Sequence, residues 1–227
     1  MTTDIYSLKL GVNSCYLIRG KNIVMVDAGP PWRLKAFKRK LARLYIRPEE
    51  IKLIVLTHSH FDHVGSAKEI KEFTGAKILI HETEKEYLEE GGFIMPKGTN
   101  TMGRITKFLF FPILKRIQFD RPEADITILS ENFPLDEYGI DGSVIHTPGH
   151  THGSLSVLLR TGEVFAGCLA HNGFPFRLMP GKPIYAEDIN EVRESWKKLI
   201  KMGAKTVFPG HGKPFPVEVI KRELSLE

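Results

Sequence analysis

The chain is 227 residues long and 42% hydrophobic, enough to bury a sizeable core. Its 32 Lys and Arg against 27 Asp and Glu give a net charge of +5, and the densest cationic run reads as one solvated helix face, so nucleic acid is not the expected partner. No apolar run approaches the roughly 18 residues of a membrane span, the start "MTTDIYSLKL" lacks a secretory pattern, and two cysteines are too few for a disulfide framework; a cytoplasmic location with free thiols is expected.

In chain order, "SCYLIRG" (Ser14 to Gly20) and "NIVMVDAG" (Asn22 to Gly29) read as a hairpin turned at Gly20-Lys21. The basic run Arg33 to Arg43 follows, with Leu34, Phe37, Leu41 and Leu44 at helical spacing. "KLIVLTH" (Lys52 to His58) and "AKILIH" (Ala76 to His81) are strands buried on both faces. Between them Gly65 to Gly75 reads as a helix with Ser66 as N-cap and Gly75 past its end. "ETEKEYLEE" is another helix. The second half repeats the theme with "ITILSENF", "GSVIHTPGH", "SLSVLLR", "EVFAGCLAH", a helix from about Ala186 to Met202, and "KTVFPGH". Alternating strands and helices predict an α/β fold with covered sheet faces. Between the halves, Met102 to Phe119 is apolar, broken by Pro112 and flanked by basic residues. It reads as an apolar lid, a homodimer surface or ordinary core. The single glutamine, Gln118, beside abundant Lys, Glu and Ile suggests a thermophile's composition.

The histidines carry the chemistry. His58, His81, His150, His171 and His211 all stand at or just past a strand end, where a rigid scaffold aims side chains into one cleft. "THSHFDHVG" adds His60, Asp62 and His63 to His58 in one short loop. Imidazole and carboxylate at that density predict a site for zinc or a similar divalent ion. Near Cys168, the loop residues His171, Asn172, Phe174 and Phe176 are candidates to line a substrate pocket.

The HxHxDH run, followed by "TPGHTHGS" and a late "PGHG", resembles the metallo-β-lactamase fold superfamily, especially its small glyoxalase-II-like hydrolases. The resemblance runs from "VDAG" at Asp27 to His211 and implies a four-layer αββα sandwich of two mixed β-sheets with outer helices. It implies one domain over 1–227, with a helical apolar insertion at about 92–125. By position, His58, His60 and His150 would hold one metal and Asp62, His63 and His211 a second, with Asp27 steadying the metal loop from behind. His81, His146 and His152 fall outside the family's ligand pattern and are expected to make local hydrogen bonds.

Cys168 departs from the pattern, since most binuclear relatives place a bridging aspartate there. Three readings stay open at this position: a thiolate bound terminally to the second zinc, a neutral packing residue, or a damaged site in a non-catalytic metal binder. The implied activity is hydrolysis by a zinc-activated hydroxide of an ester, thioester, lactone or lactam carbonyl in a small acyl or aryl substrate, with Asp62 as the catalytic carboxylate. One or two Zn2+ ions are implied, with iron or manganese as alternatives. A mono-iron sulfur-handling oxygenase and a phosphodiesterase or nuclease are the competing activities. Only "GKPFPVEVIKRELSLE" follows His211, which argues against a glutathione thioester as substrate.

Overall fold

The computed structural model describes residues 3–91, 95–114, 116–173 and 180–225, so Phe174 and Phe176 lie outside the described residues. The first sheet holds β1 (Asp4–Lys9), β2 (Ser14–Arg19), β3 (Ile23–Val26), β4 (Ile51–Val55), β5 (Lys77–His81) and, past the short β6 (Lys97–Gly98), β7 (Ile126–Ile128). These are hydrogen-bonded in the order β1-β2-β3-β4-β5-β7, antiparallel up to β3 and parallel from there. The second sheet holds β8 (Asn132–Pro134), β9 (Gly142–His146), β10 (Leu155–Leu159), β11 (Glu163–Asn172), β13 (Thr206–Gly212) and β14 (Phe215–Pro216), in the order β14-β13-β11-β10-β9-β8. β12 (Tyr185–Ala186) pairs with β6 in a separate ribbon. The helices are α1 (Leu34–Arg43), α2 (Phe61–Val64), α3 (Ala67–Thr74), α4 (Glu82–Glu89), α5 (Thr101–Leu114), α6 (Ile189–Lys201) and α7 (Glu218–Ser225).

Strand alternation divides the apolar side chains into three cores. Cys15, Leu17 and Met25 face α1, α3 and α4, packing with Phe37, Ile70 and Leu88. Their neighbours Tyr16, Ile18 and Val26 face the second sheet, meeting Val144, Val157 and Phe165. The far side of the second sheet packs Val164 and Val207 on Trp196 of α6 and Ile220 of α7. Three cores between successive layers make the four-layer αββα sandwich the sequence predicts. Among the described residues no helix is long and apolar enough to cross a membrane. Cys15 and Cys168 are both free thiols.

Several local expectations are corrected. β1, unforeseen from its sequence, pairs with all of β2 as an edge strand; its mixed "DIYSLK" leaves most residues outside the core. "ITILSENF" is two strands: β7 completes the first sheet and β8 edges the second, so the chain crosses between sheets inside a run that reads as one strand. Arg19 pairs with Ile23, leaving three residues rather than two in the hairpin turn. Ser66 precedes α3 without capping it, because its hydroxyl accepts from Arg33 N–H at 2.8 Å and donates to the Pro30 carbonyl at 2.7 Å. Gly75 does end α3 in the left-handed region, at φ 71°. α5 is not core packing: Met102, Ile105, Phe108 and Leu109 are more than half exposed.

The strand "EVFAGCLAH" does not stop at its cysteine. β11 runs through Asn172, with register irregularities against β13 on both sides of Gly167. Gly167 has φ +49°, and a Cβ there would lie 2.5 Å from Thr57 Oγ1. The bulge therefore needs glycine for both its backbone angle and its contact. Gly167→Ala is expected to cost about 2 kcal/mol or more in chemical denaturation at unchanged m-value. An unshifted midpoint would contradict this reading of the bulge.

Candidate metal centre

The site is organised from a buried carboxylate. Asp27, just past β3, adopts φ 59°, a left-handed conformation that Asp tolerates better than most residues. Its carboxylate accepts from Thr57 N–H and from the Thr57 hydroxyl, each at 2.9 Å, and from His63 Nδ1 at 2.7 Å. Thr57 thereby gives its only hydroxyl proton to Asp27. The 3.0 Å contact between Thr57 Oγ1 and His58 Nδ1 must then be donated by the ring. His58 is left with its Nε2 lone pair pointing into the protein, buried and with no hydrogen-bond partner.

The same logic fixes two more rings. His150 Nδ1 lies 2.9 Å from the Tyr185 carbonyl oxygen, which can only accept, so the Nε2 lone pair is free to turn inward. That Nε2 is 3.1 Å from His60 Nδ1. His63 donates through Nδ1 to Asp27 and presents Nε2 to Cys168 Sγ at 3.2 Å and to Asp62 at 3.8 Å. Asp62 also meets His211 Nε2 at 3.3 Å and accepts from Asn13 Nδ2 at 3.2 Å. Two donor clusters result, His58 with His150 and Cys168, and His63 with Cys168 and His211; within each, the ligand atoms lie within 4.8 Å of one another.

Charge in the cluster suits a cation. Burial would raise the Cys168 thiol, yet the imidazoles of His63, His211 and His150 hold it well below its ordinary range. Burial likewise opposes charge on His211, but the Cys168 thiolate and Asp62 carry it up to about 9. His63 is raised in the same way by Cys168, Asp27 and Asp62, whereas burial and the neighbouring His63 and His60 rings push His58 down. Asp62 is held ionised by His63 and His211 against its own burial. Thiolate and carboxylate thus face protonated imidazoles, and a divalent cation would take the place of those protons. Imidazole, carboxylate and thiolate donors of this kind, together with the unpartnered His58 Nε2, fit a metal.

Above the donors opens a cavity of about 420 Å³. His60, Asp62, His150, Cys168, His171 and His211 form its polar side, while Met95, Pro96, Phe110, Leu114 and Ile184 form an apolar wall. The placement of Phe110 and Leu114 makes α5 part of that wall. His171 is buried, with its ring 5.2 Å from that of His211, and burial pushes its pKa down to about 4. Asn172 instead donates to the Lys213 carbonyl oxygen at 2.7 Å.

The three remaining histidines lie outside the donor clusters and the cavity lining. His81 stacks on His146 at 4.3 Å and caps α4 by accepting from Thr83 N–H. His146 Nε2 lies 2.8 Å from the His152 carbonyl oxygen, and His152 faces Glu187 and Glu191.

Sequence reasoning missed residues that act from a distance. Asn13, in the β1–β2 turn, holds Asp62 across 49 positions of chain. Glu84 sits in "ETEKEYLEE", a run that reads only as a helix, yet it is buried and accepts from both Ser59 N–H and Ser59 Oγ, pinning the HxHxDH loop. Nothing local in either stretch announces these roles. Gly210, inside "PGHG", is legible afterwards, since a Cβ there would come within 2.7 Å of the His63 ring.

The fold has counterparts among known proteins. Residues 8–211 match the family model of the metallo-beta-lactamase superfamily. The chain is 27% identical over 205 residues to the probable metallo-hydrolase MJ0888 of Methanocaldococcus jannaschii, covering 88% of this chain and 87% of that one. It is 26% identical over 184 residues to the hydroxyacylglutathione hydrolase GloC of Haemophilus influenzae, covering 77% of each. Among solved structures, the archaeal superfamily protein ST1585 of Sulfolobus tokodaii superposes with a TM-score of 0.72 at 23% identity, over 100% of this chain and 86% of that one. BLEG-1, a B3 metallo-beta-lactamase, superposes at 0.69 with 21% identity over 95% of each chain. The class is that of the metal-dependent hydrolases, and the chain belongs to the metallo-beta-lactamase superfamily.

Asp27 touches no part of the cavity, yet it orients two of the inward-facing imidazoles. Asp27→Asn is expected to lower divalent-metal affinity by about 10- to 100-fold in chelator competition. Unchanged affinity would show that His58 and His63 hold their orientation without it.

Proposed function

We propose that the protein is a zinc-dependent hydrolase of small acyl substrates: esters, thioesters, lactones or lactams. The observation that carries the reading is the meeting of a donor cluster of imidazole, carboxylate and thiolate with an apolar-walled cavity of about 420 Å³. A cavity of that size suits a small molecule, and its wall of Met95, Phe110, Leu114 and Ile184 suits an apolar acyl or aryl group. His58, His60, Asp62, His63, His150, Cys168 and His211 would hold the metal. A thiolate among the donors favours zinc over iron or manganese. The relative named for hydrolysis of hydroxyacylglutathione, a thioester, supports a carbonyl rather than a phosphoryl centre.

Zinc bound here would supply Lewis acidity, making water a nucleophile near neutral pH and polarising the substrate oxygen. The chain's own residues do the rest. Asp62, held by Asn13 and facing His63 and His211, orients the attacking water and can carry a proton to the leaving group. Tyr185 fixes His150 through its carbonyl, while its hydroxyl meets Thr106 of α5 at 2.5 Å, tying the apolar wall to the metal-side ribbon. An apolar acyl group entering the cavity would lie along that wall, at Phe110 and Leu114. In this reading the whole chain is one domain, and the stretch from about 92 to 125 is an insertion that serves substrate binding.

Turnover on a panel of esters, thioesters, lactones, a β-lactam and a phosphodiester is expected to favour the carbonyl substrates. Activity should fall at least about 100-fold on chelation and return with zinc. Unchanged turnover after verified metal removal would overturn the proposal. A preference for the phosphodiester would move the reading to the nuclease branch.

A further inference from the structure

We infer that Cys168 is a bridging ligand, its single sulfur shared by two zinc ions, rather than a terminal ligand of one. The inference rests on the zinc reading above and deepens it. Two donor clusters stand side by side, and the group common to both is the Cys168 thiol. On one side are His58, from the loop after β4, and His150, from the β9–β10 loop. On the other are His63 of α2 and His211 of β13. Cys168 is buried between them, with Sγ 3.2 Å from His63 Nε2. A thiol serving only the His63 and His211 side would leave the first cluster to imidazoles alone. The geometry does not show that separation.

Independent support comes from His58. Its Nε2 is buried without a hydrogen-bond partner, and its Nδ1 is committed to Thr57, so the orphaned lone pair belongs to the cluster that contains Cys168 but neither Asp62 nor His63. A ligand is therefore called for on that side too. The backbone supports the placement: Gly167 takes its left-handed φ of +49° against Thr57 immediately before the cysteine, and the β11–β13 register is irregular on both sides of it. The bulge lies immediately before Cys168, where β11 of the second sheet packs on Thr57 in the loop of the first.

The chemistry permits sharing. A thiolate keeps three lone pairs on one sulfur and can give one to each of two cations while losing a single proton to solvent. Like a carboxylate it brings one negative charge, but it concentrates both bonds on one soft atom. Each zinc then has sulfur in its coordination sphere, which tempers the Lewis acidity of both ions rather than one.

X-ray absorption at the zinc edge distinguishes the cases, using wild-type protein that metal analysis shows to hold two zinc ions per chain, with no substrate. A shared thiolate gives a shell at about 2.3 Å with about one sulfur per zinc, whereas a terminal one gives about half. Cys15→Ala should leave that shell unchanged, and Cys168→Asp should abolish it while retaining two zincs. A count of about one, lost only with Cys168, is the expected result. A count of about half overturns the bridge and leaves the zinc hydrolase reading standing, as does no sulfur at all. Failure to take up zinc overturns both.

Discussion

One buried carboxylate underlies the site. Asp27 is removed from water, and leaving such a charge uncompensated would cost several kcal/mol. It is compensated by Thr57, which follows β4, and by His63 of α2. Three segments are thereby locked at one corner of the first sheet. Because the hydroxyl proton of Thr57 and the Nδ1 proton of His63 are both committed to Asp27, the Nε2 atoms of His58 and His63 have one direction left to face. The orientation of the donor cluster follows from hydrogen-bond bookkeeping around this single group. The left-handed backbone of Asp27 is sustained by the same contacts.

The second sheet completes what the first begins. Leu155 N–H donates to the Thr57 carbonyl at 2.8 Å, so the strand after the His150 loop is bonded directly to the residue that orients His58. Gly167 packs on the side chain of the same threonine, and Gly210 approaches the His63 ring. The sandwich core between the sheets, with Tyr16 bonded through its hydroxyl to the Pro209 carbonyl at 2.6 Å, holds these loops in register. The apolar wall of the cavity is formed by parts of the chain that belong to neither large sheet. α5 and the β6–β12 ribbon bring an apolar wall over a polar floor.

Much of this could be read in the sequence because its signals are local. Period-2 and helical patterns identify the strands and helices of the layers, and the HxHxDH run places four donors in one turn of chain. What the sequence could not convey is long-range. Asn13 and Glu84 reach the metal loop from segments with no distinguishing pattern, and the split of "ITILSENF" between sheets depends on tertiary pairing rather than on propensity. The cysteine was visible as a departure from a familiar pattern, but its position between two clusters depends on a bulge at Gly167 that periodicity cannot show. The apolar stretch from Met102 left lid, dimer surface and core open. The helix it forms has one side on the cavity and another exposed to solvent, a division that only the three-dimensional packing reveals.

The central claim is that the two donor clusters around Cys168 form a metal centre beneath the cavity. Anomalous diffraction from crystals of the zinc-loaded protein, recorded on either side of the zinc edge, addresses it directly. The account predicts two zinc peaks flanking Cys168 Sγ, one beside His58 and His150 and one beside His63 and His211. Peaks confined to surface histidines such as His152, with none between these clusters, would contradict it.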